Sequence, residues 1–325
     1  MMAVTDMKSP STAASPPLAR RPRPSLLRRI LRDRTVLLLA LPGMLLLIGF
    51  QYFPLLGNVI AFQDFQPFLG TDESLWNGLD NFRILVTGDP AFLNALRNTL
   101  ILTLIQSVMI FPVPIVLALM VNSLMSEKLR QGVMSVLYLP HFLSWVIVVA
   151  VFQQMLGGSG MVNNLLRSNG LPTFDVIGNA DLFKVLLTSQ VIWKDTGWAA
   201  ILFIAVLAGI DRSLYEAAAV DGASRFQQTL NVTLPGLRPI VILLFILQLG
   251  NSLSVGFEQI ILQQQAVGID ASEVLDTYVF NEGIAGGQWG TAAAVGLVKS
   301  VIGLVLVLTA NKIAHSMGEE GVYRA

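Results

Sequence analysis

The chain has 325 residues, of which 54% are hydrophobic and only 13% charged, with a mean hydropathy of +0.65 and a formal net charge of zero. Soluble domains carry about a quarter charged residues, so the balance points to a membrane protein. With no cysteine and two histidines, disulfides, thiolate metal sites and thiol nucleophiles are excluded, and a histidine metal site would need carboxylate help.

Residues 1–34 are rich in Pro, Ser and Ala and then basic, with Arg20, Arg21, Arg23, Arg28, Arg29, Arg32 and Arg34 before a leucine-rich run. That run is too long for the h-region of a signal peptide, and no small-residue cleavage site follows. The segment reads as a disordered cytoplasmic tail leading into a retained first helix. Its arginines read as holding the tail on the inner side rather than as a nucleic-acid contact.

A spanning helix needs about 20 mostly apolar residues. Six runs qualify, roughly 35–62, 97–122, 133–156, 182–209, 237–257 and 291–313. Lipid leaves unpaired backbone no partners, so the expected fold is an all-α membrane protein, a bundle of six transmembrane helices. Pro112 and Pro114 should kink the second span. His141, after Leu139-Pro140, reads as a capping or interfacial residue at the inner end of the third.

With the N-terminus inside, the inner segments also carry Lys8, Lys128, Arg130, Arg212, Arg225, Arg238, Lys312 and Arg324. The outer segments carry Arg83, Arg97 and Arg167, with Lys184 near an outer boundary and no basic residue in 258–290. This positive-inside bias places both termini in the cytoplasm. Two outer loops, 63–96 and 258–290, are long enough to face an external partner. The first holds Trp76, Gly78, Leu79, Asn81 and Phe82; the second holds Gln263-Gln264-Gln265 and the Gly286–Gly290 cluster around Trp289.

The inner loop 213–239 looks built for docking. Ser213 with Glu216 has the spacing of a capping box, and Leu214 to Ala219 favours about two helical turns. Asp221-Gly222 should end that helix in the left-handed conformation. Ser224 with Gln227 repeats the box, and Pro235 and Pro239 punctuate the entry to the next span. Helices this short are marginal alone in water and need a partner surface.

Glu216-Ala217-Ala218, Asp221-Gly222-Ala223 and Leu234-Pro235 together resemble the EAA motif of the membrane subunits of binding-protein-dependent ABC importers. The W-x-G-L-x-N-F element at 76–82 resembles the first outer loop of the sugar-import branch. Asp276-Thr277-Tyr278-Val279, Gly296-Leu297-Val298-Lys299-Ser300 and Gly318-Glu319-Glu320 are similar to oligosaccharide permeases of the lipoprotein and polysaccharide type, including the alginate- or oligouronate-like ones. Thr229 departs from the pattern, since an aromatic often sits there.

The resemblance implies a MetI-like permease bundle over 35–315, with 213–239 as the coupling loop and 316–325 as a cytoplasmic tail. It implies a multi-pass protein of the bacterial plasma membrane, set in lipid. The partners would be a second permease, two ATPase subunits that bind ATP-Mg, and an extracytoplasmic solute-binding protein. The coupling residues would be Glu216, Ala217, Ala218, Asp221, Gly222, Ala223, Leu234 and Pro235. No G-x-x-x-x-G-K-[ST] occurs, so energy must come from those partners, with no cofactor in this chain. An intramembrane enzyme would want H-E-x-x-H, paired aspartates or a Ser/His pair at depth, and none is present. A passive channel would leave the docking loop without a purpose. An oligosaccharide, acidic ones included, is the implied substrate; an amino acid or a glycerol-phosphate-type ester stays open.

Polar residues at membrane depth are the pathway candidates, because they normally face the bundle interior. Trp193, Lys194, Asp195 and Trp198 read either as a helix break lining the pathway, a tryptophan stacking on a sugar, or as structural polar pairs. Neighbours in sequence, Lys194 and Asp195 point about 100° apart on a helix and need not pair. Gln248, Asn251 and Ser252 in the fifth span suit sugar hydroxyls or interhelical hydrogen bonds. Lys299 suits a carboxylated sugar or an acidic neighbour.

Overall fold

The structure, a computed structural model, describes residues 33–124, 126–319 and 321–323. The expected tail over 1–32, together with Glu320 and Arg324, lies outside the described residues. Two compact units emerge, one ending at Gly57 and one beginning at Asn58. Six helical stretches are long and apolar enough to cross a membrane: Arg34–Phe62, Pro90–Asn122, Trp145–Ser168, Phe183–Ala208, Arg225–Gly250 and Trp289–Ser316.

In the first unit, α1 (Arg34–Leu47) leads into a π-helical turn at Ile48–Tyr52. The second unit has a longer π stretch at Val279–Ala285, with no proline after it, and two five-residue turns like the first, at Gln106–Ile110 and Thr229–Thr233. Each of these five-residue turns ends two residues before a proline, Pro54, Pro112 or Pro235. A proline ring collides with the carbonyl four residues back and offers no N–H; a turn closed over five residues moves that carbonyl away. At the second site the Phe111 N–H reaches Gln106 O at 2.9 Å. The kink expected at Pro112 and Pro114 is therefore a local widening between α2 (Pro90–Ile105) and α3 (Pro112–Asn122).

The run 133–156 is not one helix. An amphipathic α4 (Glu127–Tyr138) stops at a 3-10 turn, Leu139–Phe142, and α5 (Trp145–Leu156) starts afresh from the Ser144 cap. Pro140 sits in that turn and cannot donate to the preceding one.

At the centre runs α6 (Phe183–Ala208), against which α3, α4, α5 and α9 (Leu234–Gly250) all pack. Small residues let neighbours close in: a Cβ at Gly197 would collide with the Leu137 carbonyl of α4. Ala118, Ala200, Phe203, Leu207 and Leu237 form the core between α3, α6 and α9. Between α6 and α9 lie two short helices, α7 (Arg212–Val220) and α8 (Arg225–Gln228). Beyond α9 the chain runs irregularly to α10 (Phe257–Ile261) and several further short turns before the 28-residue α11 (Trp289–Ser316).

The 63–96 loop is pinned rather than loose. A two-residue β1 (Gln63–Asp64) pairs antiparallel with β2 (Leu75–Trp76), and Trp76 stacks on Phe62 with ring centroids 5.7 Å apart. Asn81 Nδ2 donates to the carbonyls of Ala61 and Gln63 at 3.0 and 2.9 Å.

Candidate functional site

Two places are candidates: the loop between α6 and α9, and a cavity among α3, α5, α6 and α9.

In the loop, α7 is capped by Asp211, whose Oδ1 accepts from the Ser213 N–H at 2.9 Å. The expected Ser213–Glu216 box does not form. A carboxylate two residues upstream reaches the positive helix end first and is the better acceptor there. The Ser213 backbone N–H, together with its side chain, holds the Asp211 carboxyl below its ordinary range. The other end closes as a Schellman motif: Gly222 has φ +79°, Ala223 N–H reaches Ala218 O at 2.9 Å and Gly222 N–H reaches Ala219 O at 3.1 Å. The Ser224–Gln227 box is present, with Gln227 N–H to Ser224 Oγ at 3.3 Å and Ser224 N–H to Gln227 Oε1 at 2.8 Å.

Glu216, Ala217, Asp221, Gly222, Leu234 and Pro235 are exposed; Ala218 and Ala223 are half-buried. Leu214, Val220 and Phe226 stand out into solvent, Val220 with 88% of its surface free. Tyr215 joins the loop to the next span, its hydroxyl 3.0 Å from Thr233 Oγ1.

The cavity has a volume of about 460 Å³ and is walled by apolar side chains from α3, α6 and α9. Its polar lining is Gln106, Asp195, Thr196, Gln248, Asn251 and Gln259, with Trp145 at one side. Amides that both donate and accept, beside an aromatic face, suit polyhydroxylated ligands. Thr196 Oγ1 is buried without a protein partner.

Of the sequence-level pathway residues, Asp195, Gln248 and Asn251 line this cavity; Trp193, Lys194, Trp198, Ser252 and Lys299 do not. There is no helix break at 193–198, because α6 continues through it. Its polar residues instead grip the Leu139–Phe142 turn. Lys194 Nζ donates to His141 O at 2.7 Å, and His141 Nδ1 lies 2.8 Å from Asp195 Oδ1. His141 stacks flat on Trp198, centroids 4.6 Å apart. Both charges converge on one turn, so Lys194 and Asp195 do approach, at 3.6 Å. Trp193 packs edge-on to Phe152.

Asn251 and Ser252 are not within the fifth span, since α9 stops at Gly250 and Asn251 is its C-cap. Ser252 is buried; its carbonyl accepts from Thr103 Oγ1, and its own hydroxyl has no protein partner. Lys299 is ion-paired with Asp276, which lines a separate, more open groove of about 850 Å³ beside Phe257, Phe280 and Trp289.

Sequence reasoning missed Gln106, Trp145 and Gln259, and Gln190 behind the wall; Gln263, read as part of an outer loop facing an external partner, is instead buried against Gln190. Gln190 was detectable as a lone amide on the α6 face that also carries Lys194 and Gly197. Among the described residues, no group of three His, Cys, Asp or Glu is placed to hold a metal ion.

The model of the family described as binding-protein-dependent transport system inner membrane component matches residues 94–318. The chain is 40% identical over 302 residues to the polygalacturonan/rhamnogalacturonan transport system permease protein YteP of Bacillus subtilis, covering 93% of this chain and 94% of that one. It is 39% identical over 293 residues to protein LplB of the same organism, covering 90% and 92%. Among solved structures, it is similar to a chain of a bacterial alginate ABC transporter in complex with an alginate pentasaccharide-bound periplasmic protein. The TM-score is 0.83 at 34% identity, covering 91% of this chain and 99% of that chain.

Proposed function

The chain belongs to the family of binding-protein-dependent transport system inner membrane components, and we propose that it forms half of the membrane pathway of an ATP-driven importer of acidic oligosaccharides. The other half is a second permease; two ATPase subunits bind ATP-Mg at the inner face, and a solute-binding protein delivers the sugar outside. The membrane is a bacterial plasma membrane, with both chain termini in the cytoplasm, as the distribution of Lys and Arg requires.

One observation carries this reading: α9 connects the docking loop to the cavity wall. At its inner end Thr233, just before α9, meets Tyr215 of α7, and Gly236 fits against Ile210, just before α7. At its far end Gln248 and Asn251 face the cavity. A nine-residue α7 with exposed Leu214 and Val220 is suited to lie in a groove of an ATPase subunit, Glu216 meeting a basic side chain there. Glu216, Ala217, Ala218, Asp221, Gly222, Ala223, Leu234 and Pro235 are the coupling residues of this proposal. Closure of the ATPases pulls α7, and α9 carries the displacement to the cavity as a switch between two packings.

The substrate class draws on the relatives, whose names state polygalacturonan, rhamnogalacturonan and alginate. In this chain Gln106, Gln248, Asn251 and Gln259 would meet hydroxyls and Trp145 a ring face, while the single lining carboxylate, Asp195, stays occupied by His141 and Lys194. Selectivity for charge then belongs chiefly to the solute-binding protein.

Purification in mild detergent followed by mass identification tests the assembly: recovery of ATPases, a sister permease and a sugar-binding protein is expected, and their absence refutes it. Uptake of oligogalacturonates in reconstituted vesicles tests the substrate class. Asn251→Leu is expected to slow that uptake about fivefold, the worth of one hydrogen bond of roughly 1 kcal/mol, with ATPase assembly unchanged. Normal kinetics would remove Asn251 from the pathway.

A further inference from the structure

The segment that closes the far wall of the cavity is held by a cluster of three buried amides. After Gly250 the backbone leaves α9 and runs irregularly through 251–256 to α10. Irregular backbone at membrane depth is tolerated where it lines a cavity, and here Asn251, Gly256 and Gln259 do so. Gln259 and Gln263 are four residues apart and point the same way, toward Gln190 of α6.

All three side chains are out of solvent: Gln190 is 0% exposed, Gln259 and Gln263 2% each. Gln190 and Gln263 pair reciprocally, Nε2 to Oε1 in both directions at 3.1 Å. Gln259 Nε2 donates to Gln190 Oε1 at 2.6 Å and to the Leu187 carbonyl at 3.0 Å. Gln263 Nε2 also reaches Gln259 O at 2.9 Å. Val255 and Ile260 pack beside it against Leu186 and Leu187.

The stretch carrying Gln259 and Gln263 is bounded by two glycines of positive φ, Gly256 at +70° and Gly268 at +92°. Side chains other than glycine rarely adopt these angles, so both are natural pivots. Nearby, the buried Ser252 hydroxyl has no partner, which marks an arrangement that does not satisfy all its polar groups. The buried amides define one register and lose every bond together when they separate.

We propose that Gln190, through Gln259 and Gln263, is a positioning residue for transport: it latches the 256–268 flap across the far end of the cavity, and the latch must open for the sugar to enter. This rests on the transport reading above. The flap lies one span beyond the coupling loop, so a pull on α9 reaches it directly.

The chain has no cysteine, which permits a clean reporter. Val255→Cys, 1% exposed at the wild-type residue, is placed in the reconstituted complex and treated with a small methanethiosulfonate reagent. Modification is expected to be slow at rest and more than tenfold faster with MgATP and binding protein loaded with oligogalacturonate. Adding Gln190→Met should make modification fast at rest as well, and raise ATPase activity without binding protein severalfold. A merely structural glutamine would lower both assembly and ATPase activity. Gln263→Met, which removes two of the bonds to α6 but leaves Gln259 bonded to Gln190, should give the same change in smaller degree.

Modification that stays slow during turnover, or that Gln190→Met leaves slow at rest, overturns the latch. Failure of both methionine variants to assemble overturns it too, in favour of a purely structural role. A wild-type complex that takes up no oligogalacturonate overturns the transport reading instead.

Discussion

The coupling loop and the far-end segment 251–285 are both short irregular connections, yet they are held in opposite ways. In the loop, bonds link residues two to five apart: Ser213 to Asp211, Gln227 to Ser224, Gln228 to Ala223, Thr229 to Arg225. Its longer ties are Tyr215 to Thr233, 18 apart, and Arg238, at the end of the loop, to Glu319. In the far segment, Gln259 bonds Gln190 across 69 residues, Asn98 bonds Glu273 across 175 and Leu275 bonds Thr99 across 176. A locally determined element keeps its shape while it moves with a partner. An element held by distant contacts has a shape only while those contacts last, and so it can serve as a gate. The proposed coupling element is thus shaped locally, whereas the proposed closure depends on distant contacts.

The largest expected effect breaks the local side. Gly222→Val places a β-branched residue at φ +79°. Such strain costs roughly 1–3 kcal/mol and undoes the Schellman closure. Uptake should fall about tenfold or more, with membrane insertion intact; unchanged uptake would end the coupling role of this turn.

On the distant side, Thr99→Val keeps the shape but removes the hydroxyl that accepts the Leu275 N–H at 2.8 Å in a fully buried place. An orphaned buried donor costs roughly 1–3 kcal/mol. The unfolding temperature in detergent should drop by several degrees, while hydrogen exchange in 212–228 stays as it was. Faster exchange there would show that the two regions are not independently held.

A smaller effect separates the two candidate caps of α7. Asp211→Ala should give faster exchange across Arg212–Val220, and Ser213→Ala almost no change. The reverse order would restore the Ser213 box.

The smallest effect is one of pH. Glu273 is buried, and desolvation raises its carboxyl above the ordinary range despite the hydrogen bond from Asn281. A raised value means that the fold favours the protonated form. Stability from this group is full below its unfolded value of about 4.3 and is lost as pH rises through the raised folded value. Glu273→Gln, still able to accept from Asn281, should be neutral at pH 4 and stabilising at pH 7. Equal effects at both would mean that Glu273 is solvated.

Legibility followed the same division. Gly222 and the Ser224–Gln227 box were readable because their partners lie within five residues. The Ser213 box misled because two local acceptors competed for one N–H, and Asp211, nearer the helix start, won. The 193–198 run read equally as a break or as structural polar pairs, and the second reading is the one found. Only the approach of the Leu139–Phe142 turn, which Pro140 and Gly197 together permit, supplies the carbonyl and imidazole that satisfy Lys194 and Asp195 within an unbroken helix. The 133–156 run was mostly apolar, and hydropathy alone does not register a missing N–H.

By itself, the amino-acid sequence determined the number of apolar spans, the positive-inside bias and the docking loop, because hydropathy, charge count and capping are properties of neighbours along the chain. The tertiary structure alone decided which amides meet. Gln190, Gln259 and Gln263 form one cluster only after α6 and the chain beyond α9 are brought side by side, and a buried amide has no meaning until its partner is in place.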